Sequence, residues 1–338
     1  MSHGDISPSV RLRQLIDGYQ VSQAIFVLAT LGIPDHLATG PQHVETLAAL
    51  SGAHAGSLYR LLRALSSVGV LHELDGRLFE LTELGDCLRS DSAEPVGHWA
   101  RYIGRPHFWE AWDHLLDSVQ TGRNAFQQLH GGQRVWEWRA QLPEEDALFN
   151  KAMRGLSRQL SESYLDAFEF GQFPLIADIG GGDGTFLSAL LVRHPRTRGI
   201  LFDQPHVVAA AADVLQKSNV AGRCQVVGGS FFEAIPPGAS AYVVKHVLHD
   251  WDDEQCLGIL NVLRAACGAA PVIVLEWVVG PPNEGSRAKL SDLNMLVMPG
   301  GQERTAEEWK QLFQRGGFVL DSIVESARGP AVIVAHAA

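Results

Sequence analysis

The stretch Ile176-Ala177-Asp178-Ile179-Gly180-Gly181-Gly182-Asp183-Gly184-Thr185-Phe186-Leu187 restricts what this chain can fold into more than any other. Leu175 to Ile179 is an apolar run of strand length. From Thr185 the pattern turns helical, with Phe186, Leu187, Leu190 and Leu191 on one face. Three consecutive glycines let the backbone between them turn sharply and leave room for a ligand against the main chain. A glycine turn that opens a helix presents bare backbone N–H groups. The alternative is a loop that merely joins strand to helix.

The dinucleotide fingerprint G-x-G-x-x-G fails at this loop, because position 185 is Thr. The glycines follow Asp-x-Gly-x-Gly-x-Gly instead, at Asp178, Gly180, Gly182 and Gly184. That spacing resembles the first motif of S-adenosylmethionine (SAM)-dependent methyltransferases.

A chain of 338 residues exceeds one typical domain. Hydrophobic content of 46% and charged content of 19% suit a globular protein with a sizeable core. A net charge of −11 argues against a nucleic-acid or anionic-membrane partner. Cys87, Cys224, Cys256 and Cys267 show no C-x-x-C pair and no metal-ligand spacing, so they read as reduced thiols. No signal-peptide pattern and no membrane-length apolar run is present, and a cytoplasmic location is expected.

Residues 10–38 are expected to be helical. Leu12, Leu15, Ile16, Tyr19, Val21, Ile25, Phe26 and Leu28 form a face too broad for one small helical layer. It suits either an ordinary core or a second subunit. Residues 43–82 read as helix, turn, helix and a hairpin turning at Asp75-Gly76, the layout of a winged helix. A DNA reader needs a basic face, yet the second helix offers only Arg60 and Arg63, amid Glu73, Asp75, Glu80 and Glu83. A dimerising role is expected over a DNA-binding regulator. Residues 95–165 are helical and rich in aromatics, which suit a core or a pocket for a flat substrate.

From about residue 172 strands and helices alternate, predicting a mostly parallel sheet covered on both faces. Asp203 ends the second strand about twenty residues past the glycines, where an acid accepts from ribose hydroxyls, or else caps the helix at Gln204-Pro205. Strand four is expected at Ala241–Leu248 and strand five at Pro271–Val278, with an Asp252/Gln255 capping box between them. Sites in such sheets gather at the carboxyl ends of strands, near His249 and Glu276. A carboxylate beside a histidine fixes its tautomer and raises its basicity.

Taken together, DIGGGDG at 178–184, LFDQPHV at 201–207, GGSFF at 228–232, KHVLHDWDDE at 245–254 and NMLVMPGGQERTAEEW at 294–309 carry a close resemblance. The chain is similar to small-molecule O-methyltransferases of the caffeic acid and acetylserotonin family, in their bacterial natural-product branch. The resemblance implies an α/β, Rossmann-like class I methyltransferase domain with a mostly parallel seven-stranded sheet, over 166–338. It implies a winged-helix dimerisation domain over 1–95 and a helical bridge over 96–165. His249 then corresponds to the general base and Glu276 and Glu303 to its flanking acids. Asp178, Gly180, Gly182, Asp203, Lys245, Phe231 and Ser157 fall on cofactor positions. Phe108, Trp112, Phe149, Met153, Asn294 and Met298 are the substrate candidates by position.

One departure stands out. Ser230 occupies a position where the family often has Asp against the adenine amino group, so adenine binding is expected to be weaker or to lean on Phe231. The implied chemistry is metal-free methyl transfer from SAM to a hydroxyl of an aromatic or polyketide-like small molecule, in a homodimer. Family members that keep SAM but hydroxylate or decarboxylate are the rival reading, against which the His249–Glu303 pair weighs.

Overall fold

The computed structural model describes residues 7–338. It falls into two compact units: the chain up to Trp109 with Glu144–Leu156, and Glu110–Pro143 with Ser157–Ala338. The helical segment expected over 96–165 is thus shared between the two.

In the first unit the helical stretch near the start is broken at Asp17 and again at Gly32, giving helices Pro8–Ile16, Gly18–Thr30 and Ile33–His36. Leu28 and Ile33 are fully buried, whereas Leu15 and Ile16 are 73% and 65% exposed, so this face finds no cover among the described residues. Helices Val44–Ser51 and Ala55–Ser67 follow, the first stopped by Gly52 in the left-handed conformation. Leu47, Leu58, Leu62 and Leu65 point into a core that also holds Leu71 and Phe79. Strand β1 (Gln42–His43) joins the hairpin of β2 (Leu71–Leu74) and β3 (Leu78–Leu81). This is the helix–turn–helix–hairpin layout expected from the sequence.

The second unit is built on a seven-stranded sheet. Its strands are β4 (Leu175–Ile179), β5 (Arg198–Asp203), β6 (Cys224–Gly228), β7 (Ala241–Lys245) and β8 (Val272–Glu276), then β11 (Phe318–Glu325) and β12 (Ala331–Ala337). A short parallel pair, β9 (Val278–Val279) and β10 (Arg304–Thr305), lies apart. The strand order is β11-β12-β8-β7-β4-β5-β6, and β12 alone runs against its neighbours. Side chains alternate across the sheet. Ala177, Ile179, Tyr242, Val244, Val272 and Val274 pack with Trp309 and Phe313 on one face. Ile176, Val243, Ile273 and Leu275 pack with Phe186, Leu187 and Leu190 on the other. Burying each such side chain stabilises by about 1.5–3 kcal/mol, which holds the sheet as a rigid platform.

From β4 the chain steps one way to β5 and β6, then returns to β7 on the other side of β4. The crevice at that reversal, beyond the carboxyl ends of β4 and β7, is where such sheets bind ligands. Strand four is shorter than expected: it ends at Lys245, not Leu248, because His246 turns left-handed with φ of 51°. Strand five ends at Glu276, and Val278–Val279 leaves to pair with β10. The capping box is half formed. Asp252 accepts from Gln255 N–H at 2.9 Å, but Gln255 Oε1 accepts from Arg134 instead.

Candidate active site

The glycine loop follows β4. Gly180 and Gly182 have φ of 69° and 62°, which glycine adopts without steric cost. A Cβ on Gly180 would strike Val247 Cγ2 at 2.6 Å, whereas nothing lies within 4 Å of a Cβ on Gly182. The outer side of the loop is therefore sterically open, but its N–H groups are not bare as expected: Gly180 and Gly181 donate to the Phe202 carbonyl, Gly182 to Asp203 and Gly184 to the Gly181 carbonyl. Asp203, at the end of β5, accepts from Gly182 N–H at 2.8 Å through Oδ2 and from Gln204 N–H at 2.6 Å through Oδ1. It fastens the loop to the end of β5. Asp178 is fully buried, and neither carboxylate oxygen has a hydrogen-bond partner among the described residues. Burial pushes its pKa up to about 7, against the pull of Lys245. Asp178 and Lys245 lie on the same face of adjacent strands, and burial lowers the Lys245 pKa while Asp178 opposes that.

Past β6, Ser230 Oγ accepts from Phe232 N–H at 3.3 Å. Phe231 and Phe232 both meet Trp251 edge-on, with centroids 6.1 and 4.8 Å away. A sterically open glycine loop, acids at Asp178 and Asp203, and a cluster of aromatic faces suit an adenosine carrying a cationic tail. Ser157 is buried on helix Pro143–Ala167 and accepts from Ser161 Oγ at 2.6 Å through its carbonyl oxygen.

The second cluster forms beyond β7 and β8. After the left-handed His246, Leu248–Asp250 makes a single 3-10 turn. Glu276, fully buried at the end of β8, holds that turn: its Oε1 accepts from Val247 N–H at 3.0 Å and His249 N–H at 3.4 Å. His249 Nδ1 pairs with Glu303 Oε1 at 2.9 Å and lies 3.5 Å from Glu276 Oε2. His249 Nε2 points away from both, 3.7 Å from Asp250 Oδ1. Burial alone would disfavour the imidazolium, but Glu276 and Glu303, then Asp250, outweigh it and push the His249 pKa up to about 10.

Glu303 reaches this ring through a strap, residues 300–305. Gly301 lies so close to the turn that any side chain there would collide with the His249 carbonyl, and Gln302 N–H donates to that carbonyl at 2.9 Å. Arg304 is buried and donates to the carbonyls of Leu248 and Trp251, each at 3.2 Å, and to Asp253 at 2.9 Å. Glu303 itself is fixed from helix Ser286–Val297: Ser291 Oγ donates to its Oε1 at 2.7 Å, and its N–H donates to Asp292 at 2.9 Å.

The structure thus brings His249, Glu276 and Glu303 together from three segments. Among the substrate candidates, Trp112 Nε1 donates to Asn294 Oδ1 at 3.4 Å, and Met298 is buried in the same unit. Phe108, Phe149 and Met153 belong to the other unit, where both rings pack edge-on against Tyr102. Sequence reasoning missed Arg304, Ser291, His246 and Tyr164. Arg304 and His246 lie inside motifs already singled out; Tyr164 and Ser291 carry no signal beyond helical periodicity.

Two family profiles cover most of the chain: the O-methyltransferase domain matches residues 112–319 and the O-methyltransferase dimerisation domain residues 13–91. Phenazine O-methyltransferase PhzM of Lysobacter antibioticus is 40% identical, over 98% of this chain and 97% of its own length. The structure of human N-acetylserotonin methyltransferase in complex with SAM superposes with a TM-score of 0.90 at 28% identity, covering 100% of this chain and 99% of that one. NcsB1, an O-methyltransferase from neocarzinostatin biosynthesis solved with S-adenosyl-L-homocysteine and 1,4-dihydroxy-2-naphthoic acid, gives 0.78 at 33% identity, covering 94% and 96%. The chain belongs to the O-methyltransferase family and is a SAM-dependent enzyme whose methyltransferase domain follows an O-methyltransferase dimerisation domain.

Proposed function

We propose that the enzyme methylates a phenolic hydroxyl of an aromatic or polyketide-type small molecule, with His249 as general base. Phenazine and dihydroxynaphthoate chemistry among its relatives supports that acceptor class. The observation that carries the base assignment is the pairing of His249 Nδ1 with Glu303 at 2.9 Å beside the fully buried Glu276. With Nδ1–H committed to the carboxylates, the lone pair of Nε2 is the one available for a proton.

SAM, when bound, supplies a sulfonium methyl that is already strongly electrophilic. Gly180, Gly182, Asp178, Asp203, Lys245, Ser157, Ser230 and Phe231 are the residues that would hold it. What remains for the protein is to place the acceptor oxygen and take its proton. Glu276 and Glu303 raise the proton affinity of the ring, which favours transfer of a proton from a phenol to it. Trp112, Asn294 and Met298 are the acceptor-binding candidates in the unit that holds His249.

The exposed apolar face of the first two helices, within the dimerisation-domain match, supports a homodimer. No described helix is long and apolar enough to cross a membrane, and a cytoplasmic enzyme suits free thiols at all four cysteines. Incubation with SAM and a panel of hydroxylated aromatics tests the reading. It requires methylated product and S-adenosylhomocysteine in equal amounts; a hydroxylated or decarboxylated product, or none, contradicts it.

A further inference from the structure

His246 adopts a left-handed conformation that is strained for a non-glycine residue, with φ of 51°. The turn carries its ring between Tyr164 and Glu276, with part of the side chain still exposed. His246 Nε2 lies 2.9 Å from the Tyr164 hydroxyl, and Nδ1 lies 3.3 Å from Glu276 Oε2. Tyr164 is fully buried, and burial, then Glu276 and Glu303, hold its phenol well above its usual pKa. The Glu276 carboxylate, 3.3 Å from Nδ1, can only accept, so the one N–H of a neutral His246 belongs on Nδ1 and the un-ionised Tyr164 phenol donates to Nε2.

Glu276 Oε2 consequently stands between two imidazoles, 3.3 Å from His246 Nδ1 and 3.5 Å from His249 Nδ1, without a well-aligned hydrogen bond to either. Its other oxygen is occupied by the backbone of the His249 turn. The two rings lie 5.3 Å apart. Burial keeps His246 neutral, so it offers a dipole and not a second positive charge.

We propose that His246 is a positioning residue for the methyl-transfer base: its Nδ1–H, fixed by Tyr164, draws Glu276 Oε2 partly away from His249. Glu303 is then left as the closer partner, and the proton affinity of His249 is held lower than two unshared carboxylates would set it. The other groups facing this pair are Glu303 and Asp292 on the strap side, Asp250 and Lys245 on the same segment, and Arg139, which bears on Asp250. None of them places another donor as near to Glu276 Oε2 as the 3.3 Å of His246 Nδ1.

The inference rests on His249 being the base, and the experiment separates the two. The pH dependence of the single-turnover rate is measured for the wild type, His246→Phe, His246→Asn and Tyr164→Phe, with SAM affinity by calorimetry. Loss of the N–H in His246→Phe frees Glu276 for His249, so the acid limb moves up by about half to one pH unit. Activity at pH 7 falls about three- to tenfold, a unit of pKa being tenfold in protonation, and recovers above the limb. Asn retains an N–H donor and restores the limb, while Tyr164→Phe shifts it in the same direction by less. SAM affinity stays within about twofold. A His246→Phe limb superimposed on the wild type, displaced downward, or lowered equally at every pH overturns the proposal. If His246→Phe does not fold, Tyr164→Phe decides alone: an unmoved limb refutes. Failure of the base assignment would show differently, as a His249→Ala variant that keeps the wild-type rate and acid limb.

Discussion

Glu303→Gln isolates the charge that most directly raises the base. The carboxylate is fully buried and lies 2.9 Å from His249 Nδ1. Gln keeps an oxygen that can accept from both His249 and Ser291, so the geometry survives while the charge is removed. An opposite charge at such a distance moves a pKa by about 1–3 units, and each unit corresponds to 1.36 kcal/mol. The imidazolium thus loses on the order of 1–4 kcal/mol of support. Starting from a pKa of about 10, the ring falls to roughly 7–9. The base works only when neutral, so the acid limb of the pH–rate profile should move down by about 1–3 pH units. Because a weaker base transfers the proton less well, the high-pH plateau should drop about tenfold or more. Stability carries the same sign. A raised histidine pKa stabilises the fold most below the unfolded value of about 6.5, and the contribution is lost as pH rises through about 10. The variant should therefore be relatively least stable at acid and neutral pH and recover toward pH 10. Single-turnover rates across pH 6–11 and melting curves over the same range read both effects. An acid limb that stays in place or moves up would refute the electrostatic reasoning.

Three further outcomes follow from the same structure. Ser230→Asp should tighten SAM binding by on the order of 1 kcal/mol through a charge-assisted hydrogen bond; calorimetry showing equal or weaker binding would mean that adenine recognition does not lack that group. Asp178 has a folded pKa raised to about 7, so its contribution is best below the unfolded value near 3.9 and is lost as pH rises to 7; Asp178→Asn should gain stability relative to wild type on going from pH 5 to pH 8, and a constant difference in melting temperature would contradict this. Leu15→Glu, at a site 73% exposed, should shift a homodimer toward monomer by sedimentation at micromolar concentration, and an undisturbed dimer would place the interface elsewhere.

Much of this was legible in the sequence because periodicity and glycine chemistry are local. The glycine loop, the alternating strands and Asp203 at the end of β5 lie where the pattern sets them, since burial on both sheet faces leaves little freedom of register. His249, Glu276 and Glu303 were reached through motif resemblance; no spacing rule joins residues 27 and 54 positions apart. Their meeting depends on the Gly301 strap crossing the turn and on Arg304 beneath it. Local pattern failed at the end of strand four. Val247 and Leu248 continue the apolar run, yet the left-handed His246 ends the ladder, and Glu276 binds the freed Val247 N–H. A strained residue held by tertiary contacts has no local sequence signature. Asp203 shows a related limit: spacing suggested a ribose ligand or a cap but gave no sign that the carboxylate also bonds to the glycine loop.

The central claim is that His249 is the base and that cofactor binding is a separate task, carried by the glycine loop and Asp203. Measuring SAM affinity and single-turnover methylation side by side for His249→Ala tests it most directly. The account predicts SAM affinity within a few-fold of wild type and a rate at pH 7 lower by about two to four orders of magnitude. The deficit should narrow as pH approaches the pKa of a phenolic acceptor, which then ionises unaided. A variant that turns over at near wild-type rate at pH 7 would contradict the claim.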